Sequence, residues 1–457
     1  ARLGLFDAKV PRYTSYPTAP HFSNDVGSDV FADWISQIPE GGTVSLYVHV
    51  PFCRRLCWFC ACRTQGTQSD SPVKAYLETL KSELALLGRH LPKGVTLSRL
   101  HWGGGTPTLL NPSMMTDLAD AIAQVAPLGP DAEFSVEIDP NEIDGARLDA
   151  LAAAGLNRAS IGVQDFDDEI QKTIGRIQGY DITRDAVEMI RERGIASLNA
   201  DILFGLPHQT QARMTESVQK LLSLTPDRVA LYGYAHVPWM AKRQKMIQED
   251  SLPGPLERFE QAETTAAMFA NSGMEAIGID HFAIPTDSLA IAARSGHLRR
   301  NFQGYTIMGD CDLLGFGVSS ISQISNANTR YILQNDTDLQ SYQAKIDMAK
   351  INPTVMPAVK YIKSSIKDRL REYVIMNLLC HDYLDFKDVN QKFGIDAITY
   401  FINEIQQLGA MQDDRLIDMD AAGIRVLPRG RLLGRNVAMV FDEYLEKKHQ
   451  NRFSKVI

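Results

Sequence analysis

The sequence predicts an α/β fold: a partial or full (β/α) barrel, with an N-terminal arm before it and a smaller, mostly helical, winged-helix-like unit after it. Three observations predict this. Strand-like and helix-like periodicities alternate from about residue 43 to 240, as repeated βα units do. Several strands carry polar residues on one face near their C-terminal ends, where barrels of this kind bind ligands. The pattern loosens past about residue 325 and resumes from about 366 as helices and one hairpin. The expected organisation is an arm over 1–42, a barrel over 43–325, a connector over 326–365 and a C-terminal unit over 366–457.

Val44, Leu46, Val48 and Val50 alternate with polar positions, which is strand periodicity. Ser71-Pro72 then opens a helix as cap and first-turn proline, and Val73, Tyr76, Leu77, Leu80, Leu84 and Leu87 fall on one of its faces. Further strands are expected at 97–102, 133–139, 159–164, 198–204 and 229–236, with helices between them, for instance at 146–154 and 184–192.

Within three of these strands the two faces differ in kind. Ser135, Glu137 and Asp139 oppose Phe134, Val136 and Ile138; Ser160, Gly162 and Gln164 oppose Ala159, Ile161 and Val163; Asn199 and Asp201 oppose Ala200, Ile202 and Phe204. A strand buried on both faces for structure alone would be apolar throughout. The polar face therefore reads as a ligand-lined interior, with hydrogen-bonded barrel filler as the plainer alternative.

Beyond 325, Asn326-Ala327-Asn328 and the polar stretch 334–343 read as loop and connector. The C-terminal unit is expected to hold helices near 368–380, 386–393 and 398–408 and a hairpin near 416–427 turning at Ala422-Gly423. Its end is basic, with Arg425, Arg429, Arg431, Arg435, Lys447, Lys448, Arg452 and Lys455. Winged helices often bind DNA, but fold does not fix function. With an acidic chain overall, a lid or scaffold over the barrel mouth is the preferred reading.

Bulk properties agree. The 457 residues are 44% hydrophobic, enough for a large core, and the net charge of −8 argues against a general nucleic-acid binder. No signal-peptide pattern is visible and no apolar run approaches the ~20 residues that span a bilayer. A reducing, cytoplasmic setting is expected.

The most informative feature follows the first strand: Pro51-Phe52-Cys53-Arg54-Arg55-Leu56-Cys57-Trp58-Phe59-Cys60. The spacing C-x3-C-x2-C supplies three thiolates to a [4Fe–4S] cluster, one fewer than a fully protein-bound cluster takes. The remaining iron is left for a small molecule, which is the signature of radical S-adenosylmethionine enzymes and makes the barrel one of the radical SAM type. A zinc site is the alternative, with Cys62 as fourth ligand, although four ligands within ten residues make an awkward tetrahedron. A disulfide does not suit a reducing compartment. Cys62, Cys311 and Cys380 read as non-ligands, and of these only Cys62 has a claim to a role.

His101-Trp102-Gly103-Gly104-Gly105-Thr106-Pro107-Thr108 ends the second strand. Glycines let backbone approach a ligand closely, and beside the cysteine loop this run gains meaning that it lacks alone. Glu137 offers a carboxylate to ribose hydroxyls or an ammonium, and Arg176 a fork for a carboxylate. Asp201 and Gln164 add polar partners for a nucleoside.

With these residues in hand, the chain resembles the oxygen-independent coproporphyrinogen III oxidase (dehydrogenase) family of radical S-adenosylmethionine enzymes. The resemblance runs from Pro11-Arg12-Tyr13-Thr14-Ser15-Tyr16-Pro17-Thr18-Ala19 through Tyr47–Cys53, Gly103–Thr108, Gly162–Phe166, Tyr234-Ala235-His236 and Asn301–Thr306 to Phe453-Ser454-Lys455-Val456-Ile457. It implies that Cys53, Cys57 and Cys60 hold the cluster, and that Tyr47, Gly104, Glu137 and Ile321 contact the S-adenosylmethionine on the open iron. It implies a second S-adenosylmethionine near Phe59, Gly105, Thr106, Gln164, Arg176, Asp201 and Ala235. Cys62 matches a further cysteine and Gln303 a glutamine near the substrate. The family usually has Gly where this chain has Ala61, so a methyl is expected to narrow the approach to the second site.

The implied reaction is oxidative decarboxylation of two propionates of coproporphyrinogen III to vinyls, giving protoporphyrinogen IX in haem biosynthesis. A tetra-anionic substrate needs cations, for which Arg12, Lys242, Arg243, Arg299 and Arg300 are candidates. The implied partners are a flavodoxin- or ferredoxin-type electron donor and an unspecified acceptor, with no nucleic acid, no membrane and a monomeric state. A haem chaperone or a radical haem-modifying methyltransferase of the same superfamily are the rival readings. The Pro11–Ala19 motif and the Gln303 region disfavour the chaperone.

Overall fold

Alternating apolar residues drive one large sheet. In the computed structural model Val44, Leu46, Val48 and Val50 of strand β1 (Thr43–Val50) are all at most 1% exposed, because they face the helices that cover the sheet. The structure describes residues 3–24, 29–307, 311–326, 329–352, 355–445 and 453–455. Ala327, Asn328, Lys447, Lys448, Arg452, Val456 and Ile457 of the features named above lie outside the described residues.

The strands that follow are β2 (Thr96–Gly104), β3 (Leu128–Ile138), β4 (Arg158–Gln164), β5 (Ser197–Phe204) and β6 (Arg228–Gly233), each parallel to the one before. Two antiparallel strands, β7 (Glu275–Ile277) and β8 (His281–Ala283), extend the sheet beyond β6. On the other side β9 (Asp312–Phe316) lies parallel to β1, and β10 (Ile321–Asn326), β11 (Thr329–Asn335) and β12 (Ala358–Ser364) continue antiparallel. The spatial order is β12-β11-β10-β9-β1-β2-β3-β4-β5-β6-β8-β7, and among the described residues its two ends do not pair. The barrel is therefore partial, with seven parallel strands at its centre.

Register carries the polar faces inward together. Tyr47 pairs with His101, His101 with Ser135, Glu137 with Ser160, Ser160 with Asn199 and Gly162 with Asp201. At the N-terminal end of the strands the interior is closed by charge. Glu133 Oε1 lies 3.1 Å from Arg99 Nε and its Oε2 2.8 Å from Arg158 Nε, while Arg228 Nε donates to Asp287 at 2.6 Å. Burial opposes the charge on Glu133, but the three guanidiniums prevail and hold it down to about 2. Conversely, the C-terminal ends of the strands are left to the chemistry.

Several expectations are corrected. The helix after the cysteine loop (Ser71–Gly88) is preceded by Asp70 at the cap position, whose carboxylate pairs with Arg54 instead of capping. Strand β6 stops at Gly233, because Ala235 and Val237 give their backbone groups to Gln244. The stretch 326–365, expected to be loop and connector, contains β11, the helix Leu339–Ile351 and β12. In the C-terminal unit the expected third helix breaks at Phe401 into Ala397–Tyr400 and Ile402–Asp413, with that ring fully buried edge-on to Phe441. The hairpin turn begins earlier than expected, at Asp420, whose carboxylate accepts from the Ala422 and Gly423 amides.

The main core lies between the sheet and its helices, and a second core fills the C-terminal unit. The arm divides between them: Val10, Tyr13 and Tyr16 pack with Leu370, Val374, Phe401 and Phe441, whereas Trp34, Ile35 and Ile38 join the main core. Tyr13 donates to Asp442 at 2.9 Å, and the Glu443 amide to the Tyr16 hydroxyl at 3.1 Å. No described helix is long and apolar enough to cross a membrane.

Candidate active site

The cysteine loop is fastened to the barrel by backbone. Gly105 N donates to Val50 O and Thr106 N to Phe52 O, both at 2.8 Å, so the glycine run and the thiol loop lie side by side. Thr67 N reaches Cys53 O at 3.0 Å, and Trp58 N reaches Ile174 O at 2.9 Å. A Cβ added at Gly105 would stand 2.5 Å from the Phe52 carbonyl oxygen, so only glycine permits this approach.

Cys53, Cys57 and Cys60 are all free and half-buried. Burial pushes the Cys53 and Cys57 thiols up, while the guanidinium of Arg176, 3.7 Å from Cys57 Sγ, works in the other direction. Cys60 is brought down to about 6, chiefly by a hydrogen bond from the Cys62 thiol and also by the Cys62 amide at 3.4 Å. Cys62 therefore sits against the loop that it follows. Among the described residues no three His, Cys, Asp or Glu side chains are set to hold one metal ion. Thiolates around a cubane each bind a different iron, so such a loop need not converge its thiols on one point. Three thiols on one loop, with Arg176 and Arg243 acting on them, fit a [4Fe–4S] cluster.

Next to this loop lies Glu137. Its Oε2 accepts from Gly104 N at 3.0 Å and its Oε1 is 3.4 Å from His101 Nε2. Burial raises its pKa, but His101 and the Gly104 amide outweigh this and hold it below the usual carboxylate range. Although surrounded by protein, the side chain is 43% exposed, toward the open barrel interior. The Tyr47 ring stacks on His101 with centroids 5.7 Å apart, and its hydroxyl lies 2.9 Å from His49 Nδ1. Ile321 starts β10 where its backbone touches Gly315, the partner of Tyr47 in β9. Tyr47, Gly104, Glu137 and Ile321 thus form one wall.

A second wall comes from β4 to β6. Arg176 is half-buried and donates to the Gly162 carbonyl at 3.0 Å and to Gln178 Oε1 at 3.1 Å, with Asp139 at 3.6 Å. Gln164 ends β4 with φ of 66°, the left-handed region that a glutamine seldom occupies. Asp201 accepts from Asn199 Nδ2 at 2.9 Å, yet burial still raises its pKa to about 6. Phe59 and Ala235 are joined through the buried Gln244, whose Nε2 donates to the Phe59 carbonyl at 2.7 Å and the Ala235 carbonyl at 3.0 Å. Ala61 is exposed and is not among the residues of positive φ, so its methyl imposes no backbone strain.

Gln303 sits between the strands of a hairpin, Arg299–Asn301 and Gly304–Thr306, and both its amide atoms are buried without a partner. Sequence reasoning missed His101, Gln178, Tyr232 and Gln244 as site residues. A glutamine in a loop carries no signal of burial, while His101 could have been found from its inward place in β2.

Comparison with known proteins bears on this arrangement. Residues 47–221 match the Radical SAM superfamily, and residues 365–433 match the HemN C-terminal domain. The chain is 56% identical over 443 residues to the oxygen-independent coproporphyrinogen III oxidase of Paracoccus denitrificans, covering 97% of this chain and 96% of the relative. It is 39% identical to the protein of that name from Escherichia coli, with coverage of 98% and 96%. The solved structure of coproporphyrinogen III oxidase (HemN) from Escherichia coli, described as a radical SAM enzyme, superposes with a TM-score of 0.89. Identity there is 38%, covering 96% of this chain and all of that one.

Proposed function

The chain belongs to the oxygen-independent coproporphyrinogen III oxidase family of radical SAM enzymes, and from that premise we propose that it converts coproporphyrinogen III to protoporphyrinogen IX. One observation carries the reading: the thiol loop is bonded edge to edge with the glycine run, opposite Glu137. When bound, the [4Fe–4S] cluster and S-adenosylmethionine supply a 5′-deoxyadenosyl radical able to take hydrogen from the β-carbon of a propionate.

The protein's part is to bind, orient and shield. Cys53, Cys57 and Cys60 would hold the cluster, with Arg176 beside Cys57 offsetting thiolate charge. Tyr47, Gly104, Glu137 and Ile321 would hold S-adenosylmethionine, the ionised Glu137 accepting from its ammonium or ribose. Phe59, Gly105, Thr106, Gln164, Arg176, Asp201 and Ala235 would surround a second molecule. Gln303 and Cys62 would face the substrate. Loss of CO2 from each substrate radical leaves one electron for an external acceptor. Nothing in this chemistry needs a nucleophilic triad. A flavodoxin- or ferredoxin-type donor, a monomeric state and a cytoplasmic setting complete the proposal.

Anaerobic protein should be brown, and Cys57→Ala should be colourless. Incubated with coproporphyrinogen, S-adenosylmethionine, a one-electron reductant and an electron acceptor, the wild type should yield CO2, 5′-deoxyadenosine and methionine. S-adenosylhomocysteine with a methylated tetrapyrrole would instead identify a methyltransferase. Tight haem binding without CO2 release would identify a chaperone.

A further inference from the structure

A second concentration of charge lies at the C-terminal end of the strands, and it is assembled from three parts of the chain. Arg12, exposed on the arm, donates to the Gly233 carbonyl at 3.5 Å, at the last residue of β6. Arg300 comes from the Gln303 hairpin, and Arg435 from the short helix Gly434–Ala438 of the C-terminal unit. Arg435 Nη1 donates to the Val10 carbonyl at 3.5 Å, on the arm segment that carries Arg12; burial first, and then Arg12, bring its pKa down to about 10.

With Arg12 beside Arg435, two cations, Arg300 and Arg435, thus act on one carboxylate, Asp280. It is already engaged, with His281 Nδ1 at 2.7 Å and Arg300 Nη1 at 3.6 Å. His281 stands edge-on to Tyr232, with the Tyr232 hydroxyl 3.5 Å from its Nε2, and Tyr232 in turn feels Asp201. The cluster therefore adjoins the second wall of the candidate active site.

Its hydrogen-bonding capacity is incomplete. The Arg300 side chain is only 4% exposed, yet its Nε and Nη1 have no hydrogen-bond partner. Both amide atoms of Gln303, on the same hairpin, are likewise buried and unmatched. Leaving such groups unpaired is costly, and retention of that cost is explained when a ligand completes them. Two other cations that the sequence offers are committed elsewhere. Arg243 donates to the Cys62 carbonyl and the Thr64 hydroxyl, and Arg299 to the Gly296 and Leu298 carbonyls.

We propose that Arg12, Arg300 and Arg435, with Gln303, form a carboxylate site that anchors propionates of the tetrapyrrole while another propionate reacts. Guanidinium forks match carboxylate geometry and bind it in pairs of hydrogen bonds. The proposal rests on the function argued above and adds a consequence. Each decarboxylation removes one anionic handle, so the product binds this site less well than the substrate and leaves.

The test uses anaerobic holoenzyme and three fluorescent probes: coproporphyrin III, its tetramethyl ester and protoporphyrin IX. Arg12→Gln and Arg435→Gln should each raise the Kd for coproporphyrin III at least about tenfold, the value of a lost charged hydrogen bond. Binding of the tetramethyl ester should be unchanged, as should cluster absorbance, and Arg12→Lys should recover part of the loss. Arg300→Gln is read only alongside these, because Arg300 also stacks on Tyr305 at 4.6 Å. Wild-type Kd in both Arg12→Gln and Arg435→Gln would overturn the site, as would an equal loss for the ester. A wild type that binds coproporphyrin III through these arginines but makes no protoporphyrinogen would leave the site standing and overturn the reaction.

Discussion

Gln244 and Phe59 are 185 residues apart, and the amide of one donates to the carbonyl of the other at 2.7 Å inside the protein. The same side chain accepts from Val237 N at 2.6 Å, so it pins the thiol loop to the segment after β6. Gln244→Leu should cost about 1–3 kcal/mol by leaving buried backbone groups unpaired. Its melting temperature should fall, and its cluster absorbance should bleach several-fold faster in air. Bleaching at the wild-type rate would show that the loop is held well enough without this contact.

Gly105→Ala should be far more damaging than its size implies. The new methyl would meet the backbone of Phe52 and Val50 at 2.5–2.9 Å, and neither can yield alone. We expect destabilisation by ~3 kcal/mol or loss of the cluster from an otherwise folded protein. Gly179→Ala, at a site with nothing within 4 Å, is the control and should stay within ~0.5 kcal/mol of wild type. Iron content and circular dichroism measure both.

Asp201 has a pKa raised to about 6 by burial. As the pH falls through that value the carboxylate gains a proton and loses its ability to accept twice from a ribose. S-adenosylmethionine affinity should therefore decline from about pH 7.5 to about pH 5 in the wild type. In Asp201→Asn it should be weaker and flat over the same range, as read by equilibrium dialysis. A slope that persists in the variant would assign the titration to another group.

Glu83 predicts a pH effect on stability. It is buried 3% exposed among Tyr342, Asn335 and the Gly317 amide, and burial pushes its pKa up to about 7. The folded protein holds a proton that the unfolded chain, at an ordinary 4.5, releases earlier. This contribution is complete below about pH 4.5 and is lost as the pH rises through about 7, an effect of on the order of 3 kcal/mol at most. Glu83→Gln should flatten the fall in melting temperature across that window. An unchanged pH profile in the variant would count against it.

Much of the barrel was legible because its strands obey a simple rule, apolar outward and polar inward. Val44 to Val50 and Phe134 to Ile138 display it, and register does the rest. The cysteine spacing was legible because cluster chemistry fixes it. Strand β11 and the helix Leu339–Ile351 were not, since partly exposed elements at the sheet's margin tolerate Gln, Asn and Lys and lose their periodicity. The start of β3 was missed because a Gly-Pro pair, here 129–130, is turn chemistry. Asp70 was not singled out, because its partner, Arg54, lies across a loop. The arginine cluster was half visible: Arg12 and Arg300 stood among the sequence's candidate cations, but only folding brings Arg435 beside them.

That β12 and β7 do not pair among the described residues has a consequence for how a bulky macrocycle could be accommodated. A fully closed cylinder has its girth dictated by strand number and stagger. This one is a curled band with a seam, so its curvature can relax or tighten without parting any ladder between neighbours. Such latitude suits a macrocycle that must be turned between two successive reactions at one fixed source of radicals.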